Sequence, residues 1–221
     1  MTTFETSTPV GQIATSHPGA GRVLMRHNID FCCGGRRSLA DACASAGIDA
    51  AALLSEIAAE EPQRDDVRWD LEPVDGLIGH ILEAYHRPLD EELPRIAGLM
   101  NKVTHRHGDE NPWLAELKSN VDAVIQDLVE HMVKEERVLF PWILSGNGRT
   151  AGGPIQVMHT EHDTVAWYLG KIRSQTGDYV PPAGACNSWR ALWIALEGLE
   201  VSLKEHIHLE NNVLFPRALA A

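Results

Sequence analysis

The feature that most constrains the fold of this chain is a twelve-residue motif that occurs twice in similar form. Residues 130–141 read EHMVKEERVLFP, and residues 205–216 read EHIHLENNVLFP. In each copy a His and a Glu stand four residues apart, so on a helix they share one face with the apolar residues around them. Each helix would therefore carry an imidazole and a carboxylate on its core stripe. The pairs are His131 with Glu135 and His206 with Glu210.

Four long segments after residue 73 have the apolar spacing of amphipathic helices. They cover roughly 74–107, a stretch from Asn111 to about 138, 154–174, and the last part of the chain after TGDYVPPAGA. Asn111 and Pro112 predict the start of the second helix, and Pro88 and Pro94 are expected to kink or break the first. Because the connections are short, the sequence predicts an all-α fold, an up-and-down antiparallel four-helix bundle.

The chain divides by composition into three parts. Residues 1–60 contain short helical pieces broken by HPGAG, FCCGG and AGID, which predicts a small helical N-terminal domain. Residues 61–73 are charged and rich in proline, which is typical of a linker. Residues 74–221 are predicted to form the bundle.

The charge balance limits the classes of partner. The 19 Lys and Arg against 31 Asp and Glu give a formal net charge of −12, which predicts no nucleic-acid partner and no binding to an anionic membrane. No stretch approaches the ~18–20 apolar residues of a membrane span, and the start lacks the features of a signal peptide. We therefore expect a cytoplasmic protein. Four cysteines are too few for a disulfide scaffold.

Histidines are unusually frequent on the predicted core stripes. A single such His is more often a core residue with one satisfied hydrogen bond, but a buried unpaired polar group costs about 1–3 kcal/mol and a carboxylate far more. Glu135 and Glu210 thus need a strong partner, unless both helices rotate to expose them. That rotation would also expose Leu128 and Leu203, which disfavours it. The five stripe histidines are His86, His107, His131, His162 and His206.

A metal centre would compensate all seven groups at once. Seven ligands are too many for one ion, so we expect two ions, with each Glu bridging both and each His binding one. Two six-coordinate ions have twelve coordination positions. The five His and two bridging Glu would fill about nine of them and an oxo or hydroxo bridge two more, which leaves about one position open. The donor mixture suits iron, although ligand type alone also admits manganese, cobalt or zinc, of which zinc prefers a four-coordinate shell.

Several motifs resemble those of a known family. YH at 85–86, EHMVKEE at 130–136, TEHD at 160–163 and EHIHLENNVLFPR at 205–217, together with DFCCGG at 30–35, are similar to the hemerythrin-like di-iron family called repair of iron centres. Between His105 and His107, the stripe through Met100 and Val103 favours His107. The resemblance implies two iron ions, oxo- or hydroxo-bridged, with the ligands His86, His107, His131, Glu135, His162, His206 and Glu210.

The resemblance also implies a function in iron–sulfur cluster repair under nitrosative or oxidative stress. The partners would be damaged iron–sulfur proteins and small diatomic molecules, nitric oxide or dioxygen; a homodimer is left open. Two routes stay open, delivery of iron or the trapping or enzymatic reduction of nitric oxide. The alternatives are a reversible dioxygen or nitric oxide sensor or carrier, and an oxidase, which would want more carboxylates. A carrier needs no second domain with thiols.

The adjacent Cys32 and Cys33 are candidate redox thiols. Neighbouring cysteines close only a strained, easily reduced ring, and Arg36 and Arg37 would favour a thiolate. The alternative is that one thiol is buried for packing and the other has no role, with both placed before a Gly-Gly turn. The resemblance favours a redox or metal-handling role. The remaining cysteines are interpreted as structural, namely Cys43 and Cys186.

Overall fold

Helices make up nearly all the regular structure of the chain. The computed structural model describes residues 4–61, 63 and 66–221. Within these residues the only β-type pairing is an isolated bridge between Pro9 and Ser38. The predicted all-α fold is confirmed.

The N-terminal unit, residues 4–61, contains four short helices with a core of their own. Ser38 and Asp49 cap two of them, because their side chains accept the backbone N–H groups of Asp41 and of Ala51 and Ala52. The helices are α1 Val10–Ser16, α2 Pro18–Arg26, α3 Leu39–Ala46 and α4 Ala50–Ala59. Their buried apolar residues include Val10, Ile13, Leu24, Phe31, Leu39, Leu53 and Ile57.

Residues 74–221 form the predicted four-helix bundle. α6 packs against α7 and α10, and both of these contact α9, so the four long helices enclose one core. Three of the four contain a wider, π-helical turn. The elements are α5 Val74–Ile81, the turn Leu82–His86, α6 Arg87–His107, α7 Leu114–Lys134, the turn Glu135–Leu139, α8 Phe140–Trp142, the connecting turns Ile143–Asn147 and Gly148–Thr150, α9 Gly152–Thr176, α10 Asn187–Leu209, the turn Glu210–Leu214 and α11 Phe215–Ala220.

Each of these π-helical turns ends two residues before a proline. The prolines are Pro88, Pro141 and Pro216. A proline inside a helix has no N–H to donate, and its ring clashes with the carbonyl four residues earlier. The residue before each proline donates instead to a carbonyl five residues back, as Phe140 does to Glu135. The helix predicted to kink or break at Pro88 and Pro94 is not broken at either residue. The wider turn accommodates Pro88, and Pro94 lies exposed within α6.

Two details of the second bundle helix differ from the prediction. It begins at Leu114 rather than at Pro112, because the Asn111 side chain donates to the His107 carbonyl (3.1 Å) instead of capping the new helix. Val138, expected on the core stripe, is 52% exposed, and Leu139 is buried in its place. Both residues lie in the π-helical turn Glu135–Leu139, which contains one residue more than a regular turn and so shifts the buried face by one position.

No single helix within the described residues is long and apolar enough to cross a membrane. One bent pair, Leu39–Ala46 with Ala50–Ala59, passes that test by length and composition only.

The N-terminal unit packs against the C-terminal end of the bundle. Asn212 donates its side-chain N–H to the carbonyls of Phe31 (3.2 Å) and Cys32 (3.0 Å). Gly11 and Gly35 make this approach possible, since a Cβ on either would lie 2.4 or 2.2 Å from Asn212 Oδ1. The second glycine of FCCGG is therefore explained by an interdomain contact.

A buried ion-pair network stabilises the opposite end of the bundle. Glu200 is 2% exposed and accepts from Arg173 Nε (3.1 Å), Lys204 Nζ (2.6 Å) and the Tyr179 hydroxyl (2.5 Å). Burial raises the pKa of Glu200, but the hydrogen bonds from Lys204 and Tyr179 outweigh it and lower the pKa below its usual value.

Replacing Glu200 with Ala should destabilise the fold while leaving the rest of the molecule intact. The change leaves two cations and a buried hydroxyl without their shared partner, at a cost of about 3 kcal/mol. We expect the melting temperature to fall by several degrees in calorimetry. The control is Glu197→Ala, an exposed residue on the same helix. Equal melting temperatures for the two variants would contradict this account.

Candidate metal centre

Six of the seven predicted ligands meet inside the bundle. They form two groups whose potential ligand atoms lie within 4.8 Å of one another, and both groups share Glu135 and Glu210. The first group adds His86 and His206, and the second adds His131 and His162. All six side chains are at most 3% exposed. The geometry is that of two adjacent sites joined by two carboxylates.

The four imidazoles face inward through the same ring atom. His86 Nε2 lies 3.1 Å from His206 Nε2, and His131 Nε2 lies 3.0 Å from His162 Nε2. Each pair joins two different helices, so all four bundle helices contribute one histidine. The arrangement therefore depends on the register of the whole bundle.

The two carboxylates lie between the imidazole pairs. Glu135 Oε2 is 3.3 Å from His131 Nε2 and 3.5 Å from His86 Nε2. Glu210 uses both of its oxygens instead, with Oε1 3.0 Å from His206 Nε2 and Oε2 3.2 Å from His162 Nε2. Each carboxylate thus faces one histidine of its own helix and one from another helix.

The π-helical turns position half of the cluster. Glu135 and Glu210 are the first residues of their turns, and His86 is the last residue of its turn. Wider turns of this kind occur often at functional sites, because they re-aim side chains that a regular helix would place elsewhere. The prolines behind the turns therefore help to build the site.

Three of the histidines hydrogen-bond through Nδ1, the ring nitrogen that faces away from the cluster, to polar residues that the sequence analysis missed. His86 Nδ1 lies 3.0 Å from Glu136 Oε1, His131 Nδ1 lies 2.9 Å from Glu161 Oε2, and His162 Nδ1 lies 2.9 Å from Asn211 Oδ1. Such partners set the tautomer and the orientation of metal-binding imidazoles. The available signal was adjacency, since each partner directly neighbours a cluster residue in the sequence.

Three buried carboxylate oxygens of the cluster lack a hydrogen-bond partner, which bears on whether a metal fits there. Both oxygens of Glu135 and Oε2 of Glu210 have no hydrogen-bond partner among the described residues, although both side chains are 0% exposed. Such carboxylates need a cation beside them. Imidazoles with carboxylates are donors suited to iron and similar transition metals. The residues therefore fit a metal centre.

The electrostatics of the cluster agree with that fit. Burial lowers the pKa of His131, but the nearby Glu135 charge outweighs it and raises the pKa to about 9. Burial raises the pKa of Glu210, but His206 and His162 outweigh it and hold the pKa well below its usual range. Metal ions bind the unprotonated imidazole, so binding here would release protons and weaken as the pH falls.

His107, the seventh predicted ligand, is not part of the cluster. It ends α6, whose 21 residues span about 30 Å, whereas His86 directly precedes the start of that helix. His107 Nε2 lies 3.3 Å from Cys186 Sγ, and its ring is 4.9 Å from that of Trp189. The stripe continues past the site, so periodicity alone could not separate His107 from the ligands.

The DFCCGG segment forms a tight loop beside the cluster. The Asp30 carboxylate accepts the backbone N–H groups of Cys32 (3.1 Å), Cys33 (3.0 Å) and Gly34 (2.9 Å). Cys32 is buried and Cys33 is half-buried. Asn211 connects the loop to the cluster, since its Nδ2 lies 4.0 Å from Cys33 Sγ while its Oδ1 contacts His162.

The expectation of a thiolate is wrong for Cys32. The hydrogen bond with Cys33, burial and the Asp30 charge raise the pKa of Cys32 well above its usual value, which keeps it protonated. The guanidinium of Arg37 bonds instead to the Asp41 carbonyl (2.9 Å) and to Ser45 (2.6 Å). Proximity in sequence did not bring this cation to the thiol.

Comparisons with known proteins cover almost the whole chain. Residues 77–218 match the family described as the hemerythrin HHE cation binding domain, and residues 6–61 match a domain of unknown function, DUF542. Proteins named iron-sulfur cluster repair protein YtfE, from Yersinia pseudotuberculosis serotype O:1b and from Yersinia pestis strain Pestoides F, are 40% identical over 212 residues. The alignments span 95% of this chain and 96% of each relative.

Substitution of either shared carboxylate should remove bound metal. Glu135→Ala or Glu210→Ala deletes a group that belongs to both halves of the cluster, so we expect each to lose most of the metal that the unaltered protein holds after iron loading. Elemental analysis measures the content. The matched control is His107→Ala, which should keep the full complement. Full retention in both Glu variants would refute the assignment.

Removal of the metal should lower the melting temperature. Six buried polar groups converge here, and a ligand that binds only the folded state stabilises it. A contribution of a few kcal/mol corresponds to a shift of several degrees in calorimetry. Identical melting temperatures for the chelator-treated and metal-loaded forms, with metal shown to remain bound in the latter, would contradict a role in stability.

Proposed function

We propose, since this chain belongs to the hemerythrin-like family of iron–sulfur cluster repair proteins, that it helps to restore iron–sulfur clusters damaged by nitric oxide or oxidants. Damaged iron–sulfur proteins would be its partners, in the cytoplasm. The net charge of −12 supports a partner other than nucleic acid. The N-terminal unit and the bundle act in this proposal as two cooperating domains.

The ligands in this proposal are His86, His131, His162, His206, Glu135 and Glu210, holding two iron ions. Four imidazoles and two bridging carboxylates supply about eight of twelve positions, and an oxo or hydroxo bridge supplies two more. About two positions then stay open, one more than the count with His107 allows. Iron held there would supply a redox-active centre that binds diatomic molecules, and a store of deliverable metal.

The observation that carries the proposal is the contact between the thiol loop and the cluster. Asn211 bonds to His162 on one side and approaches Cys33 on the other. A cleft of about 580 Å³ opens beside them and is lined by Cys32, Cys33 and Phe215. The Phe215 ring stacks on the His162 ring at 6.2 Å. A thiol pair that lines a cleft close to a candidate metal ligand supports joint action of the two parts.

The two thiols are suited to different tasks. Cys32 is 4% exposed and protonated, and its Sγ lies 3.3 Å from Asp30 Oδ1, so it supports the loop. Cys33 is half-buried beside the cleft, and thiolate sulfur is a soft ligand that binds iron. We therefore assign contact with iron, or with nitric oxide, to Cys33. Delivery of iron and reduction of nitric oxide remain the two routes, of which only the second is enzymatic.

Reversible binding of nitric oxide or dioxygen is the second candidate. The cluster is flanked by apolar rings, with Phe140 5.8 Å from His86 and Phe215 6.2 Å from His162. An apolar wall beside open metal positions suits a small uncharged gas. This function would not require the thiol pair, which separates it experimentally from repair.

Loss of the thiol pair should impair repair without impairing metal binding. The double variant Cys32→Ser, Cys33→Ser is compared with the intact, iron-loaded protein for recovery of an iron–sulfur hydratase inactivated by nitric oxide. We expect recovery to fall severalfold while iron content and melting temperature stay near those of the intact protein. Cys43→Ala, which alters a buried thiol in the same unit, is the control.

The alternative outcomes separate the candidates. Undiminished recovery with the double variant would remove the thiols from the mechanism. If the intact, iron-loaded protein gives no recovery but binds nitric oxide reversibly, the gas-binding function is the correct one.

A further inference from the structure

A second pair of reactive side chains lies at the other end of the bundle. Cys186 Sγ is 3.3 Å from His107 Nε2, which is hydrogen-bond distance for a thiol and an imidazole. Cys186, which the sequence analysis interprets as structural, is exposed. His107 ends α6, so the length of that helix, about 30 Å, separates the pair from the candidate metal centre.

Cys186 stands at the N-terminus of a long helix. Cys186 directly precedes α10, a helix of 23 residues, and its own backbone is extended. The N-terminus of a long helix carries a partial positive charge, which attracts negative charge at this position. Arg190 adds a fixed cation, since its Nε donates to the neighbouring Ala185 carbonyl (3.1 Å).

Aromatic residues hold the imidazole in place. The Trp189 ring lies 4.9 Å from the His107 ring and is itself 4% exposed. Trp113 and Trp193 pack against Trp189 at 6.1 and 5.8 Å. The histidine therefore rests on a rigid aromatic platform, while the thiol faces solvent. A fixed base beside an accessible nucleophile is the arrangement of an activated thiol.

We propose that Cys186 is a thiol-modification site that reacts with low-molecular-weight disulfides, with His107 as its base. The Cys186 proton moves to His107 Nε2, and the thiolate attacks one sulfur of the disulfide. A new S–S bond forms to Cys186 as the original S–S bond breaks. The departing thiolate takes the proton back from the imidazolium. The disulfide is the only oxidant, and the products are one mixed disulfide and one free thiol.

The test measures mixed-disulfide formation at Cys186 in the full-length, iron-loaded protein. Glutathione disulfide is the probe, and peptide mass spectrometry follows the adduct over time. We expect the rate to fall by about tenfold or more in His107→Ala and in His107→Gln, because both variants lack the base. Glutamine keeps a hydrogen-bonding side chain but cannot accept the proton. His105→Gln, two residues away and exposed, is the matched control.

Three results would overturn the proposal. One is a Cys186 in the intact protein that reacts no faster than a free small-molecule thiol. Another is an unchanged rate in both His107 variants. The third is a full rate in His107→Gln with a slow rate in His107→Ala, which would mean that the histidine only fills space. Melting temperatures of the variants verify that each is folded.

Discussion

The structure depends on two carboxylates that have no contact with solvent. Glu135 and Glu210 are both 0% exposed, and burial of an unpaired charge costs more than any single apolar contact returns. Four imidazoles, one from each long helix, surround them. This compensation requires all four helices in one register, so the polar cluster specifies the bundle as much as the apolar stripes do.

The repeated VLFP motif explains how the helices reach the register that the cluster requires. In both copies the proline stands behind a π-helical turn that begins at the buried Glu. The wider turn changes the phase of the helix at the carboxylate, so the apolar residues that follow pack on a different line from those before it. The repeat therefore encodes a local change of helical pitch in addition to a pair of ligands.

Much of the fold and of the candidate site could be predicted from the sequence, because both follow from periodicity. The four stripes and all six cluster residues lie where a period of three or four places them, although the same period also predicted a seventh ligand. The errors arose where periodicity carries no information. Periodicity does not indicate where along a helix a site ends, so His107 was wrongly included among the ligands. It does not indicate a change of helical pitch either, so Val138 was wrongly placed in the core. Side chains that hydrogen-bond to the outer ring nitrogen of a cluster histidine, such as Asn211, lie off the stripe and have no periodic signal.

The position of Asn211 and Asn212 within one turn has a thermodynamic consequence. Asn211 bonds to His162, Asn212 bonds to the backbone of the N-terminal unit, and both directly follow Glu210. A change at the cluster that shifts this turn must alter how well the N-terminal unit docks. Linkage makes the effect reciprocal, so docking changes the metal affinity by the same factor as metal occupancy changes docking. A partner protein that draws the N-terminal unit away would thereby loosen the metal without touching it.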